Sequence, residues 1–314
     1  MTVMLSDKPK SDRLCNELLI KRGILKVKTF KRKPSTVAGT PINQYFATMF
    51  RNHIWASHCE NGDGFEVLKT LMDDSKLVNV FSGRGNREIH FSKLIPVGLK
   101  NSKTWNSLSD MMLEFTSKGK GAGEFYFPFV AKDCKLIKSS EGKHDGLING
   151  LVSEYKKDGA SLTPYHKSLR VIDDAVNKIF QGHRPGPLNP GSKSNGQSFD
   201  NFRQWLDSQK NPSKILFDFF GMLWPNQDVT RLIDKIKLEN NGQKFYNTVG
   251  QHVLHAYKDI DKWQQLIVIG KKKLVIIEDP SDLSMFKTLK FKWVTKRGGD
   301  NQSLSDGYVN LKIE

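Results

Sequence analysis

At 314 residues the chain is long enough for one large domain or two smaller ones, each able to bury a core. Its 49 basic against 33 acidic residues give a formal net charge of +16, which points to polyanionic partners, DNA above all, or to acidic neighbours in an assembly. Three scattered cysteines, Cys15, Cys59 and Cys134, argue against a disulfide framework or a zinc cluster; no apolar run reaches the roughly 18 residues of a membrane span, and the polar start lacks a secretory segment.

In chain order, positive charge first concentrates at Lys26 to Lys33, where basic and apolar residues partly alternate and Lys31, Arg32 and Lys33 stand together before Pro34. This reads as a strand with a basic face or as an arm, serving either as a nucleic-acid contact or as a solvated edge. Asn43 to His58 shows helical spacing, Phe65 to Met72 a second short helix, and Trp105 to Phe115 a third, capped by Thr104 or Ser107. Gly83-Arg-Gly-Asn-Arg87 lacks the lysine and hydroxyl of a phosphate-binding loop and reads as a turn; no nucleotide cofactor is expected. The glycine-rich Ser117 to Gly123 marks a boundary or hinge, so residues 1–118 read as a basic, mainly helical N-terminal region and 119–314 as an α+β core.

Within that core, Asn149-Gly150 between Leu147-Ile148 and Leu151-Val152 is a strong hairpin signal, because both residues tolerate the positive φ of a type I′ turn. Alternation along the second strand then sets Glu154 and Lys156 on one face and Tyr155 on the other, with Asp145 beside them on the paired strand. Two converging carboxylates call for a hard divalent cation, magnesium or manganese, and Lys156 would orient a water or steady developing charge. Beyond Leu162, a helix opened by Pro164 and His166 is expected through Phe180, with Lys120, His166, Lys167 and Arg170 as phosphate contacts. Gly182 to Ser198 reads as a loop, four helical segments follow between Phe199 and Tyr257, and strands return at Gln264 to Gly270, Lys273 to Glu278, Leu289 to Val294 and Tyr308 to Ile313. The helical block of about 166–258 therefore reads as an insertion.

Asp145, Glu154 and Lys156 resemble the core motif of the PD-(D/E)XK nuclease superfamily, with Glu124 of Gly121-Ala-Gly-Glu124 resembling the acidic residue of that fold's first helix. His144 stands where the motif has its nominal proline. The order of these elements is also similar to proteins of tailed bacteriophages, some of them nucleases and others virion components; the likeness covers about residues 119–162. The resemblance implies a mixed sheet flanked by helices, with Asp145 and Glu154 as metal ligands, Lys156 and Glu124 completing the catalytic set, and DNA as substrate. It places the protein in the host cytoplasm or the virion. The alternative it leaves is a head, neck or tail component that uses the fold as a building block, bound to other virion proteins.

Three other acidic-x-Lys triplets, at Asp74/Lys76, Asp133/Lys135 and Glu141/Lys143, show how readily the pattern arises in so charged a chain. Of the four, Glu154 alone lies in an apolar alternating strand behind a hairpin. His53, His58 and Cys59, and the pair His252 and His255, have metal-binding side chains but read better as ordinary helix positions.

Overall fold

The computed structural model describes residues 7–30, 33–115, 121–137, 145–162, 171–183, 198–224, 227–286, 288–297 and 303–313. The expected contacts Lys31, Arg32, Lys120, His166, Lys167 and Arg170 lie outside these, as do Glu141 and Lys143. Among the described residues there are ten α-helices and a mixed six-stranded sheet, an α+β architecture, and no helix is long and apolar enough to cross a membrane.

The chain divides into two compact units, Met1–Lys157 with Trp263–Glu278, and Asp158–Lys262 with Asp279–Glu314. The division thus falls elsewhere than at 118/119: the N-terminal helices share one unit with the sheet, and the helical block shares the other with the last strands.

In the first unit, helices α1 (Lys8–Lys21), α2 (Pro41–Asn61), α3 (Gly64–Met72), α4 (Lys103–Glu114) and α5 (Ala122–Val130) accompany the six-stranded sheet. A separate antiparallel hairpin, β1 (Lys26–Phe30) and β2 (Lys33–Ala38), occupies the basic stretch and includes Lys33. Helix α1 has no counterpart in the sequence reading; Pro9 sits in its first turn, where a missing N–H is harmless. Thr40 and Pro41 start α2, and Gly62, at φ 79°, ends it. The cap of α4 is Ser102, whose Oγ accepts from the Trp105 N–H at 2.9 Å, and neither Thr104 nor Ser107. Thr104 instead donates to Asp63, which also takes a hydrogen bond from Ser102 Oγ at 2.6 Å.

The sheet runs β3 (Arg87–His90), β10 (Lys273–Ile277), β9 (Gln265–Ile269), β6 (Leu151–Lys157), β5 (Gly146–Ile148), β4 (Cys134–Leu136). All neighbours are antiparallel except β6 and β9. A parallel pair needs a long crossover, and residues 158–262 supply it. Every residue of β9 is buried, as expected of a central strand covered on both faces. Strand β3 was not foreseen because its four residues alternate too briefly to register against the turn before them. That turn is held by Glu278, which accepts from the Gly85 N–H at 3.1 Å and pairs with Arg87 at 2.8 Å.

The second unit contains α6 (Asp173–Phe180), α7 (Phe199–Asp207), α8 (Pro212–Leu223), α9 (Thr230–Ile236) and α10 (Gly242–Asp261). Its sheet pairs β11 (Thr288–Arg297) with β12 (Ser303–Lys312), which also pairs β7 (Ser161–Leu162) and β8 (Val171–Ile172). Ile172, expected in a helix, therefore belongs to a strand, and the described helix starts at Asp173. His252 stacks on Trp224 with centroids 5.6 Å apart, and His255 Nε2 lies 3.2 Å from Ser281 Oγ, so both engage in packing or hydrogen bonding.

Candidate active site

The hairpin forms as its turn residues dictate. Asn149 and Gly150 take φ 51° and 75°, and the register runs Ile148 to Leu151, Leu147 to Val152 and Gly146 to Ser153. One step further would set Asp145 opposite Glu154, on the same sheet face. Paired strand backbone ends at Gly146, and the Asp145 side chain takes over as acceptor: its Oδ2 receives the Tyr155 N–H at 2.7 Å.

Helix α5 delivers the third carboxylate. Two rings of α2 fix the helix, Phe46 stacking on Phe125 at 4.3 Å and Phe50 on Phe129 at 5.1 Å. Its first turn then approaches β6 so closely that a Cβ on Gly123 would stand 2.7 Å from Tyr155 Cγ. At the hydroxyl end of the same side chain, a Cβ on Gly146 would meet the Tyr155 oxygen at 2.5 Å. Tyr155 is thus wedged between two glycines that no larger residue could replace without movement. Glu124 lies at the third position of α5, where its Oε1 accepts from the Gly121 N–H at 3.1 Å, half of a capping box. The helix starts at Ala122 and continues through Pro128, which has no N–H to donate to the Glu124 carbonyl.

Glu124 and Glu154 are both buried, at 7% and 5% exposure, while Asp145 and Lys156 are half-buried. Lys156 Nζ forms an ion pair with Glu154 Oε1. The electrostatics join all four groups. Burial raises the Asp145 carboxyl to about 7, Glu154 and more weakly Glu124 push the same way, and Lys156 and the Tyr155 N–H act against them. Burial drives the Cys134 thiol, hydrogen-bonded with the Tyr155 side chain, up to about 12, so this sulfur is an inert packing group.

The structure therefore brings Asp145, Glu154, Lys156 and Glu124 into one electrostatic neighbourhood. Among the described residues, no group of three or more His, Cys, Asp or Glu side chains is placed to hold a metal ion, so the metal reading rests on the Asp145 and Glu154 pair. Sequence reasoning missed Tyr155, Gly123 and Gly146 as the wedge that sets the height of α5 over the strand. It also missed Gln265, fully buried on β9, whose Nε2 donates to Ser153 Oγ at 2.7 Å and ties β9 to β6 two residues from Tyr155. The Gly121-Ala-Gly spacing was the one available hint. Comparison with family models, curated proteins and solved structures returns no match to this chain.

Proposed function

We propose that this protein is a metal-dependent phosphodiesterase acting on DNA, with its site at Asp145, Glu154, Lys156 and Glu124. The observation that carries the reading is the raised Asp145 carboxyl: burial and a second carboxylate make its ionised form unfavourable, and a divalent cation between Asp145 and Glu154 is the chemistry that would relieve both. Oxygen donors on strand ends suit magnesium or manganese. Such an ion, when bound, neutralises charge on a phosphodiester oxygen and acidifies water.

The chain's own residues do the rest. The Tyr155 N–H fixes one oxygen of Asp145 and so orients the carboxylate. Lys156, held by Glu154, is positioned to donate to a water or to a developing negative charge. Glu124, oriented by the Gly121 N–H, adds negative charge and favours cation binding. The +16 net charge attracts the phosphate backbone without sequence preference.

A second reading, a structural component such as a virion protein with little or no activity, is favoured by one observation. The Lys156 and Glu154 pair already compensates its own charges within the fold. Incubation of linear and circular DNA with the protein and magnesium or manganese separates the two. Metal-dependent cleavage that Lys156→Ala abolishes, with DNA binding retained, supports the enzyme. No cleavage by the unmutated protein with either metal overturns it.

A further inference from the structure

The first unit has a cleft of about 740 Å³ between α2 and α4, away from the residues of the candidate site and within the size range of small-molecule sites. The helices run antiparallel here. At one end the Tyr45 and Phe115 rings lie 6.0 Å apart, and at the other His53 Nε2 is 2.9 Å from Ser107 Oγ. Met49 and Met111 line the stretch between, and Tyr45 is 62% exposed. The cleft thus offers an adaptable apolar wall closed at one end by a hydrogen bond.

Charge gives the wall a preference. Asp110 and Glu114 are exposed on α4 along the cleft, four residues apart, where like charges destabilise a helix slightly. Among the described residues neither has an ion-pair partner. Lys103, seven residues before Asp110, stands about 10 Å away along the helix. Burial pushes His53 below its usual value, so it is neutral at pH 7 and does not repel a cation. In a chain of net charge +16, two carboxylates without an ion-pair partner among the described residues, on an aromatic and methionine-lined cleft, are a local exception.

We propose that this cleft binds a small organic cation, an ammonium or guanidinium on an aromatic or aliphatic body, with the body against Tyr45, Met49 and Met111 and the charge against Asp110 and Glu114. The global charge favours anions, so a cation preference can only come from the cleft itself. The test is a titration of the full chain, labelled with carbon-13 at its methionine methyls, with tryptamine and, in parallel, with indole-3-propionate, its anionic counterpart. Tryptamine should shift the Met49 and Met111 methyls saturably, with a dissociation constant in the low millimolar range for a ligand of this size. The double variant Asp110→Asn, Glu114→Gln, changed only at exposed positions, should weaken it about tenfold. Absence of saturable shifts, an equal or larger response to indole-3-propionate, or unchanged affinity in the double variant would each overturn the proposal.

Discussion

Asp74-Ser-Lys76 and Glu154-Tyr-Lys156 spell the same motif, yet their surroundings have opposite electrostatic sense. Asp74 lies in a short turn after α3, with Lys21 at 3.1 Å and Arg22 at 2.8 Å. Partial burial pushes its carboxyl up, but the hydrogen bonds from Lys21 and Arg22 outweigh it and hold the group below the usual range. Glu154 pairs with Lys156, and its neighbour Asp145 is pushed up to about 7, first by burial and then by Glu154. The first carboxylate is held in its ionised form by cations of its own chain, whereas beside the second a neighbouring carboxyl is pushed towards its protonated form. A short motif becomes a candidate site through the company its side chains keep after folding, not through its letters.

The sharpest way to break this comparison is to truncate both lysines. Lys156→Ala should lower magnesium-dependent DNA cleavage by about a hundredfold or more through lost charge stabilisation, while Lys76→Ala leaves it unchanged. Equal effects in a nicking assay would erase the distinction between the two triplets.

Next in size is the wedge. Gly123→Ala should destabilise the first unit by about 1 to 3 kcal/mol in urea unfolding, because the added methyl meets the Tyr155 ring at van der Waals-forbidden distance. Gly62→Ala, with nothing within 4 Å but φ 79°, should cost less, about 1 kcal/mol. If the order reverses, Tyr155 is not what holds α5 at its height.

The titration of Asp145 is a third measure. Its folded value lies above the ordinary 3.8, so the folded state keeps the proton that the unfolded chain gives up. In metal-free buffer its contribution to stability therefore declines as pH rises from about 4 towards 7 and levels off above that. Asp145→Asn should flatten this slope in thermal melts, and magnesium should steepen the protein's stability in the other direction at pH 8. Melts that are identical for Asp145→Asn and the parent across this window would count against the shift.

The smallest effect belongs to Asp74. Its carboxyl is depressed, so its stabilisation is present above 3.8 and is lost as pH falls through the folded value. Because its side chain is 56% exposed, Asp74→Asn should lower stability at pH 7 by no more than about 1 kcal/mol, and less in high salt.

Much of the molecule follows from local chemistry alone. Asn149 and Gly150 specify their turn because few other residue pairs accept two positive φ values, and the turn in succession sets which residues of β6 face together. The runs around Phe46, Leu216, Val249 and Ile267 specify helices and strands because their apolar spacing matches 3.6 or near-continuous burial. Helix α1 and strand β3 escaped because one opens with a proline among charged residues and the other is four residues long. Distance along the chain limited the rest. The strands returning after the helical block marked it as an insertion between the hairpin and those strands, but that β6 and β9 are direct, parallel neighbours, and that Gly123 and Gly146 both crowd one tyrosine side chain, depend on packing between remote elements. The protonation of Asp145 belongs to the same class, since desolvation and the field of Glu154 exist only once the strands have paired.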